Sequence, residues 1–132
     1  MNTKTIDHTA QRVALWRALH LKIDKPPYIL EDRFAEEMAN AGSDWTARPD
    51  MNPEGCRIPR ANTVARAKLV EDLLDKEIQQ GMDQYVLLGS GLDTFLLRKL
   101  ENYKNLNLFE IDRQHNLDWK KNRIQELGLP FS

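Results

Sequence analysis

The sequence has little of several features that would point to a particular class of protein. Cys56 is the only cysteine, which excludes an internal disulfide, and no apolar run approaches the roughly 18 residues that a membrane span needs. Nineteen basic and 20 acidic residues leave a net charge of −1, so charge alone makes no case for nucleic-acid binding. The three histidines show no metal-ligand spacing with one another or with Cys56, so no metal site is expected.

The remaining composition is that of an ordinary globular domain. The 132 residues are 41% hydrophobic and 30% charged, enough for one modest core. The first residues, MNTKTIDHTAQR, lack the apolar segment of a secretory signal, and a lone cysteine suits a reducing compartment. We therefore expect a cytoplasmic protein with neither a membrane nor a nucleic-acid partner.

The first 80 residues are predicted to be helical. Apolar residues recur at helical spacing over about 5–23, 30–41 and 60–80. Between the second and third helices, residues 42–59 carry three prolines and are predicted to form a loop, in which Trp45 is placed to cover a ligand. The first 80 residues are thus expected to be a helical region that covers a cofactor or substrate.

Strands and helices alternate after residue 80. A short apolar run at 84–88 predicts a buried strand, followed by a helix over 94–102, a strand over 106–111 and a helix over 114–127. This order is the opening of an α/β doubly wound sheet. Two parallel strands do not complete such a sheet, so 81–132 is expected to be the start of an incomplete Rossmann-like domain.

A glycine turn joins the first strand to the next helix. The stretch VLLGSGLDT places Gly89 and Gly91 where a ligand could approach the backbone closely, since neither residue carries a side chain. A short Gly-x-Gly pattern is weak by itself. The glycines leave open whether the turn binds a nucleotide or is a tight connection that binds nothing.

An acid at the end of the second strand favours the nucleotide. Asp112 follows Gly89 by 23 residues, near the spacing at which an acidic residue accepts the two ribose hydroxyls. Glu110 lies two residues earlier and projects to the same face of the strand. The alternative is a solvated acid at a strand end, and the glycine turn upstream makes ribose binding the better interpretation.

The residues after the glycines indicate which cofactor would bind. A dinucleotide site needs glycine or alanine at the sixth position of the motif, where Thr94 stands here. The adjacent carboxylate of Asp93 would repel a diphosphate and could occupy the helix-end amides itself. The pattern therefore disfavours NAD(P) and FAD and suits S-adenosyl-L-methionine, which has adenosine, no phosphate and a positive sulfonium.

These residues resemble the core motifs of the leucine carboxyl methyltransferase family. The matching segments are VLLGSGLDT at 86–94, Arg98 and FEID at 109–112. Upstream, Thr9-Ala10, Val13-Ala14 and Arg17-Ala18 are similar to the family's N-terminal helix signature, and Asp32 and Ala35 to its Asp-Pro-x-Ala segment. Phe95 stands where bacterial members often have arginine, and Arg33 replaces a usual proline, which weakens the assignment to a subgroup.

The resemblance implies roles for particular residues. Arg66 would bind the carboxylate of the cofactor's methionine part, with Arg17 near it, while Gly89 and Gly91 line the methionine moiety and Asp112 holds the ribose. Asp93 and Glu110 complete the seven residues that are expected to bind the cofactor. The sequence alone would favour a different role for Arg66, a surface ion pair with Glu71 or Asp72 on its own helix. No nucleophile and base can be paired in the sequence, so the catalytic residues are left unknown.

The implied activity is methyl transfer to an oxygen of a small molecule or a protein C-terminus. Family members are about twice as long or longer, so we expect a truncated chain whose partner is a missing C-terminal half or a second copy. Two alternatives remain from the sequence: an inactive remnant or oligomerising interaction module, and a nucleotide-dependent oxidoreductase.

Overall fold

The computed structural model describes residues 5–130, and they form a mixed α/β fold. Seven main elements follow one another along the chain, with 3₁₀ turns at Trp45–Ala47, Pro49–Met51 and Leu100–Asn102. The elements are α1 (His8–Ile23), α2 (Ala35–Ala39), α3 (Arg57–Gln79), β1 (Gln84–Leu88), α4 (Phe95–Arg98), β2 (Asn107–Ile111) and α5 (Gln114–Glu126). The predicted order of helices and strands is confirmed. The predicted division into 1–80 and 81–132 stays a prediction.

β1 and β2 pair in parallel, as the sequence predicts. The register places Val86 beside Phe109 and Leu88 beside Ile111. These four apolar side chains share the outer face of the sheet, where they are 49–74% exposed. The alternate residues, such as Tyr85 and Leu108, face the helices and pack on Leu74, Phe95 and Leu106. One face of the sheet is therefore covered and the other is open.

The main core lies between α1 and the elements around it. Ala14, Leu15, Ala18 and Leu19 of α1 are buried there, and Leu92 and Ile124 join the same cluster. The glycine turn and α5 are thereby packed onto the N-terminal helical layer. None of the helices in residues 5–130 is long and apolar enough to cross a membrane.

Several helix ends differ from the predicted ones. The helix predicted over 94–102 is a single turn at Phe95–Arg98, followed by the 3₁₀ turn at Leu100–Asn102. α3 starts at Arg57 and includes Pro59, because proline in a first helical turn gives up only an N–H that would be unpaired anyway. α2 starts at Ala35 because the Asp32 carboxylate accepts the N–H of Phe34 and holds the preceding segment out of the helix. α2 ends at Ala39 because the next residue, Asn40, has the left-handed φ of +48°.

Trp45 occupies the core instead of covering a ligand. It is 3% exposed, packs in the cluster formed around α1, and donates its Nε1–H to Glu36 Oε1 at 3.0 Å. Met51 and Cys56 of the same connection are also buried. The connection between α2 and α3 is therefore anchored to the main core by its own apolar side chains.

The Asp24–Arg60 pair predicts an acid-sensitive contribution to stability. Arg60 donates two hydrogen bonds of 3.0 Å to the Asp24 carboxylate, and His20 forms a third. The bonds from Arg60 lower the pKa of Asp24 below its ordinary 3.8, although partial burial acts in the opposite direction. Because the folded-state pKa is lowered, this stabilisation is present above pH 3.8 and is lost as pH falls through the lowered value.

We expect the Asp24→Asn variant to be less stable at neutral pH and to lose less free energy of unfolding on acidification below pH 3.8 than the parent. Urea denaturation across that range measures the slope. Asp44→Asn, at an exposed aspartate, is the matched control and should keep the parental slope. Parallel slopes for all three proteins would contradict the prediction.

Candidate functional site

A cavity of about 550 Å³ opens between α1, α3 and the carboxyl ends of the two strands. Six of the seven predicted site residues line it: Arg17, Arg66, Gly89, Gly91, Asp93 and Asp112. The volume lies within the range of about 300–1,000 Å³ that is usual for small-molecule sites. The structure therefore brings together residues that are up to 95 positions apart in the sequence.

The Asp112 carboxylate lies directly at the glycine turn. Its Oδ2 accepts the N–H of Gly91 at 2.7 Å, and its Oδ1 accepts Arg113 N–H and Asn116 Nδ2. Partial burial would raise the pKa of Asp112, but the hydrogen bonds from Asn116 and the two backbone amides outweigh it and the pKa is lowered. The strand-end acid is thus an ionised acceptor at physiological pH.

Both glycines of the turn have backbone conformations that favour glycine. φ is +63° at Gly89 and +49° at Gly91. A Cβ on Gly91 would also lie 3.2 Å from the Ala10 Cβ of α1, whereas one on Gly89 would meet nothing within 4 Å. The absence of a side chain at residue 91 lets α1 pack against the turn.

These two glycines should respond differently to alanine. We expect Gly91→Ala to lower the free energy of unfolding by about 2–3 kcal/mol, through the left-handed φ and the contact with Ala10. Gly89→Ala should cost about 1 kcal/mol, from the φ alone. Urea denaturation measures both, and an equal loss for the two variants would show that the packing of α1 on the turn contributes nothing.

The Asp93 carboxylate binds the first amide of the short helix that follows the turn. Its Oδ1 accepts the N–H of Phe95 at 2.8 Å, and α4 extends for only one turn, from Phe95 to Arg98. The amide that a diphosphate would use is therefore already bound to a carboxylate. This geometry agrees with the sequence argument against a dinucleotide.

The two predicted arginines differ in how they are held. Arg17 is buried and donates Nε to Asp32 Oδ2 and Nη2 to the Leu92 carbonyl, both at 2.8 Å. Arg66 is an exposed residue of α3 whose side chain lines the cavity. The two acids of α3 that the sequence offered as ion-pair partners of Arg66 pair with other residues, Glu71 with Arg98 and Asp72 with Lys68.

Glu110 is the one predicted site residue that the structure does not bring to the cavity lining. It lies on the face of β2 that the helices cover, and its Oε1 accepts a hydrogen bond from the buried Lys120 of α5. This pair joins β2 to α5. The sequence indicated the correct face of the strand but could not show which helix supplies the cation.

Among the residues of the cavity that were not predicted from the sequence, Asn116, Tyr85 and Ser90 have notable surroundings. Asn116 is 3% exposed and donates hydrogen bonds to both Asp112 and Asp7. Burial raises the pKa of Tyr85 to about 12, so its phenol stays neutral. Ser90 carries the one buried side-chain polar atom without a hydrogen-bond partner in residues 5–130, and it also lines the cavity. Leaving a buried hydroxyl unpaired costs about 1–3 kcal/mol, which a polar ligand atom could offset.

Together, the parallel strands, the glycine turn and the acid at the strand end define an α/β protein with a small-molecule site at the carboxyl edge of its sheet. The family model for leucine carboxyl methyltransferase matches residues 10–132. The chain belongs to the leucine carboxyl methyltransferase family, and the resemblance seen in its motifs is confirmed.

Curated relatives from several bacteria agree with this assignment. The chain is 35% identical over 85 residues to YktD of Bacillus subtilis, and 30% identical over 128 residues to Rv1896c of Mycobacterium tuberculosis. A Streptomyces avermitilis protein is 29% identical over 122 residues. All three are named as candidate S-adenosyl-L-methionine-dependent methyltransferases.

These matches cover most of this chain but a smaller share of each relative. The aligned segments are 64%, 93% and 89% of this chain for the B. subtilis, M. tuberculosis and S. avermitilis proteins respectively. They are 25%, 41% and 43% of the relatives in the same order. The chain therefore spans less than half the length of the curated relatives it matches.

Proposed function

We propose that this chain binds S-adenosyl-L-methionine and forms the cofactor-binding part of an O-methyltransferase. The acceptor is proposed to be a carboxylate or hydroxyl of a small molecule or of a protein C-terminus. The observation that carries the cofactor proposal is the contact between Asp112 and the N–H of Gly91, because it sets an ionised acceptor of ribose hydroxyls at the glycine turn.

The donor and acceptor groups of the cavity suit the separate parts of this cofactor. Asp112 would accept from the ribose, and the exposed guanidinium of Arg66 would bind the methionine carboxylate through two parallel N–H donors. Gly89 and Gly91 leave room for the methionine chain beside the turn backbone. The occupied amide of Phe95 disfavours a cofactor that carries a diphosphate.

Arg17 and Glu110 have less direct places in this proposal. Two of the three guanidinium nitrogens of Arg17 donate hydrogen bonds to Asp32 and to the Leu92 carbonyl. We therefore propose that Arg17 mainly fixes the glycine turn in place, with a secondary electrostatic effect on the methionine carboxylate. A cofactor contact for Glu110 stays a prediction, since its partner in the structure is Lys120.

The bound cofactor would supply an electrophilic methyl group on a sulfonium. The chain's own contribution would be to bind, to orient and to exclude water, since methyl transfer to an oxygen depends mainly on alignment and desolvation. The α1 segment that includes Ala10 and Val13 lies along the cavity beside the turn and would shield this side of the site from solvent. No residue is assigned as a base.

A non-enzymatic interaction module is the second candidate function. The open sheet face formed by Val86, Leu88, Phe109 and Ile111 favours it, because soluble proteins seldom leave a parallel sheet uncovered on one side. The expected partner for this face, a second copy or a C-terminal half, stays a prediction.

Calorimetric titration with S-adenosylhomocysteine tests the cofactor proposal. We expect the parent chain to bind it and Arg66→Ala to weaken binding about tenfold to a hundredfold, the value of a lost charge-assisted bond. Arg57→Ala removes another exposed arginine of α3 that lies outside the cavity lining, and should bind like the parent.

Two results would count against the proposal. Binding of NADH in preference to S-adenosylhomocysteine would revive the oxidoreductase alternative. A folded parent chain that binds neither compound would favour the interaction module.

A further inference from the structure

Two carboxylates at the cavity are joined by one amide. Asn116 Nδ2 donates to Asp112 Oδ1 and to Asp7 Oδ2, each at 2.9 Å, and Asn116 Oδ1 faces the backbone N–H of Asp7 at 3.3 Å. All three residues line the cavity. The amide therefore fixes the position of Asp7 relative to the acid that the proposed function assigns to the ribose.

Asp112 has little remaining capacity to accept hydrogen bonds. A carboxylate offers about four lone-pair sites. Three are occupied by the N–H groups of Gly91 and Arg113 and by Asn116 Nδ2. The arrangement leaves one site for a ribose, although a ribose presents two neighbouring hydroxyl groups.

Asp7 has the capacity that Asp112 lacks. Its hydrogen-bond partners are His115 Nε2 at 3.0 Å and Asn116 Nδ2 at 2.9 Å, with the exposed Arg113 Nη1 farther away at 3.8 Å, and its side chain is 36% exposed. Asp7 is the residue that precedes α1, where an aspartate commonly caps the helix, yet its side chain makes no capping bond. The carboxylate is directed toward α5 and the cavity instead.

The spacing of the two acids suits neighbouring hydroxyl groups. Two oxygens that accept from the two hydrogens of one planar amide nitrogen at this distance lie about 5 Å apart. Adjacent hydroxyls can reach both, because each O–H···O bond spans about 2.7 Å. The unpaired Oγ of Ser90 in the same cavity is an independent sign that the cavity suits a polar ligand.

We infer that Asp7 is a second ribose-binding residue, which accepts one hydroxyl of the cofactor's ribose while Asp112 accepts the other. The inference rests on the proposed function and assigns the segment before α1 a direct contact with the ligand. It also gives Asn116 a role, which is to hold the two carboxylates at the spacing of a vicinal diol.

Analogues of S-adenosylhomocysteine that lack one ribose hydroxyl test this assignment. We expect Asp7→Ala to weaken binding of the complete ligand about tenfold. The same substitution should change the affinity less than about twofold for either the 2′-deoxy or the 3′-deoxy analogue, because that analogue lacks the hydroxyl that Asp7 would accept. Asp7→Asn, which preserves the shape of the side chain, provides a second variant.

His115→Ala is the matched control. It removes a partner of Asp7 but no acceptor of the ribose, so it separates ligand contact from fastening of the N-terminal segment. If Asp7 only fastened that segment, both substitutions would weaken all three ligands by the same factor, and this result would overturn the inference. Failure of the parent chain to bind the complete ligand would overturn the proposed function as well.

Discussion

Asp32→Ala is expected to lower the free energy of unfolding by about 3–5 kcal/mol, the usual loss when one partner of a buried ion pair is removed. The Asp32 side chain is fully buried. It lies 2.8 Å from Arg17 Nε and 3.7 Å from Arg98 Nε, so its removal leaves the buried guanidinium of Arg17 and the partly buried one of Arg98 short of negative charge. Urea denaturation at neutral pH measures the loss.

The surrounding contacts explain why this loss should be large. Arg98 also pairs with the buried Glu71, so Arg17, Asp32, Arg98 and Glu71 form an alternating chain of charges with no net charge, in which only Arg98 is partly exposed, at 10%. This alternating chain of charges joins α1, α3, α4 and the segment before α2. Through the bond from Arg17 to the Leu92 carbonyl it also reaches the glycine turn.

The neighbouring acid provides the control for Asp32→Ala. Glu31 is 55% exposed and pairs with Arg33, which is also exposed. Surface pairs of this kind contribute about 0–1 kcal/mol. Glu31→Ala should therefore leave stability nearly unchanged, and an equally small loss for Asp32→Ala would show that the buried chain of charges does not stabilise the fold.

Asp112→Ala is expected to weaken S-adenosylhomocysteine binding about a hundredfold or more. The substitution removes a charged acceptor of the ribose and also frees the N–H of Gly91, which now bonds Asp112 at 2.7 Å. One hydrogen bond to a charged group contributes about 1.5–3 kcal/mol, and each 1.4 kcal/mol is tenfold in affinity. Isothermal titration calorimetry measures the change at a temperature where the variant is folded.

Asp118→Ala is the matched control for this substitution. Asp118 is an exposed acid of α5 whose side chain accepts a hydrogen bond from Gln114. It should bind S-adenosylhomocysteine like the parent. If Asp112→Ala stayed within about threefold of the control, the ribose would have to be held elsewhere, which would contradict the proposed role of Asp112.

The sequence was sufficient to predict the elements that depend on local pattern. The parallel strands at 84–88 and 107–111, the glycine turn between β1 and α4, and the helix from residue 114 lie where apolar spacing and turn residues indicate. Asp112 was predicted to lie at the turn because it ends the second strand and follows Gly89 by 23 residues, near the spacing of a ribose-binding acid. The structure places it there.

Tertiary structure decided which charged side chains remain available to a ligand. Arg17 is held by Asp32 and by the Leu92 carbonyl, 75 positions away, while Arg66 is left at the cavity. Asp7 and Asn116 are 109 positions apart and meet only because α5 packs onto the layer of N-terminal helices. No local periodicity encodes such pairings, since they depend on how the helical layer packs against the glycine turn and α5.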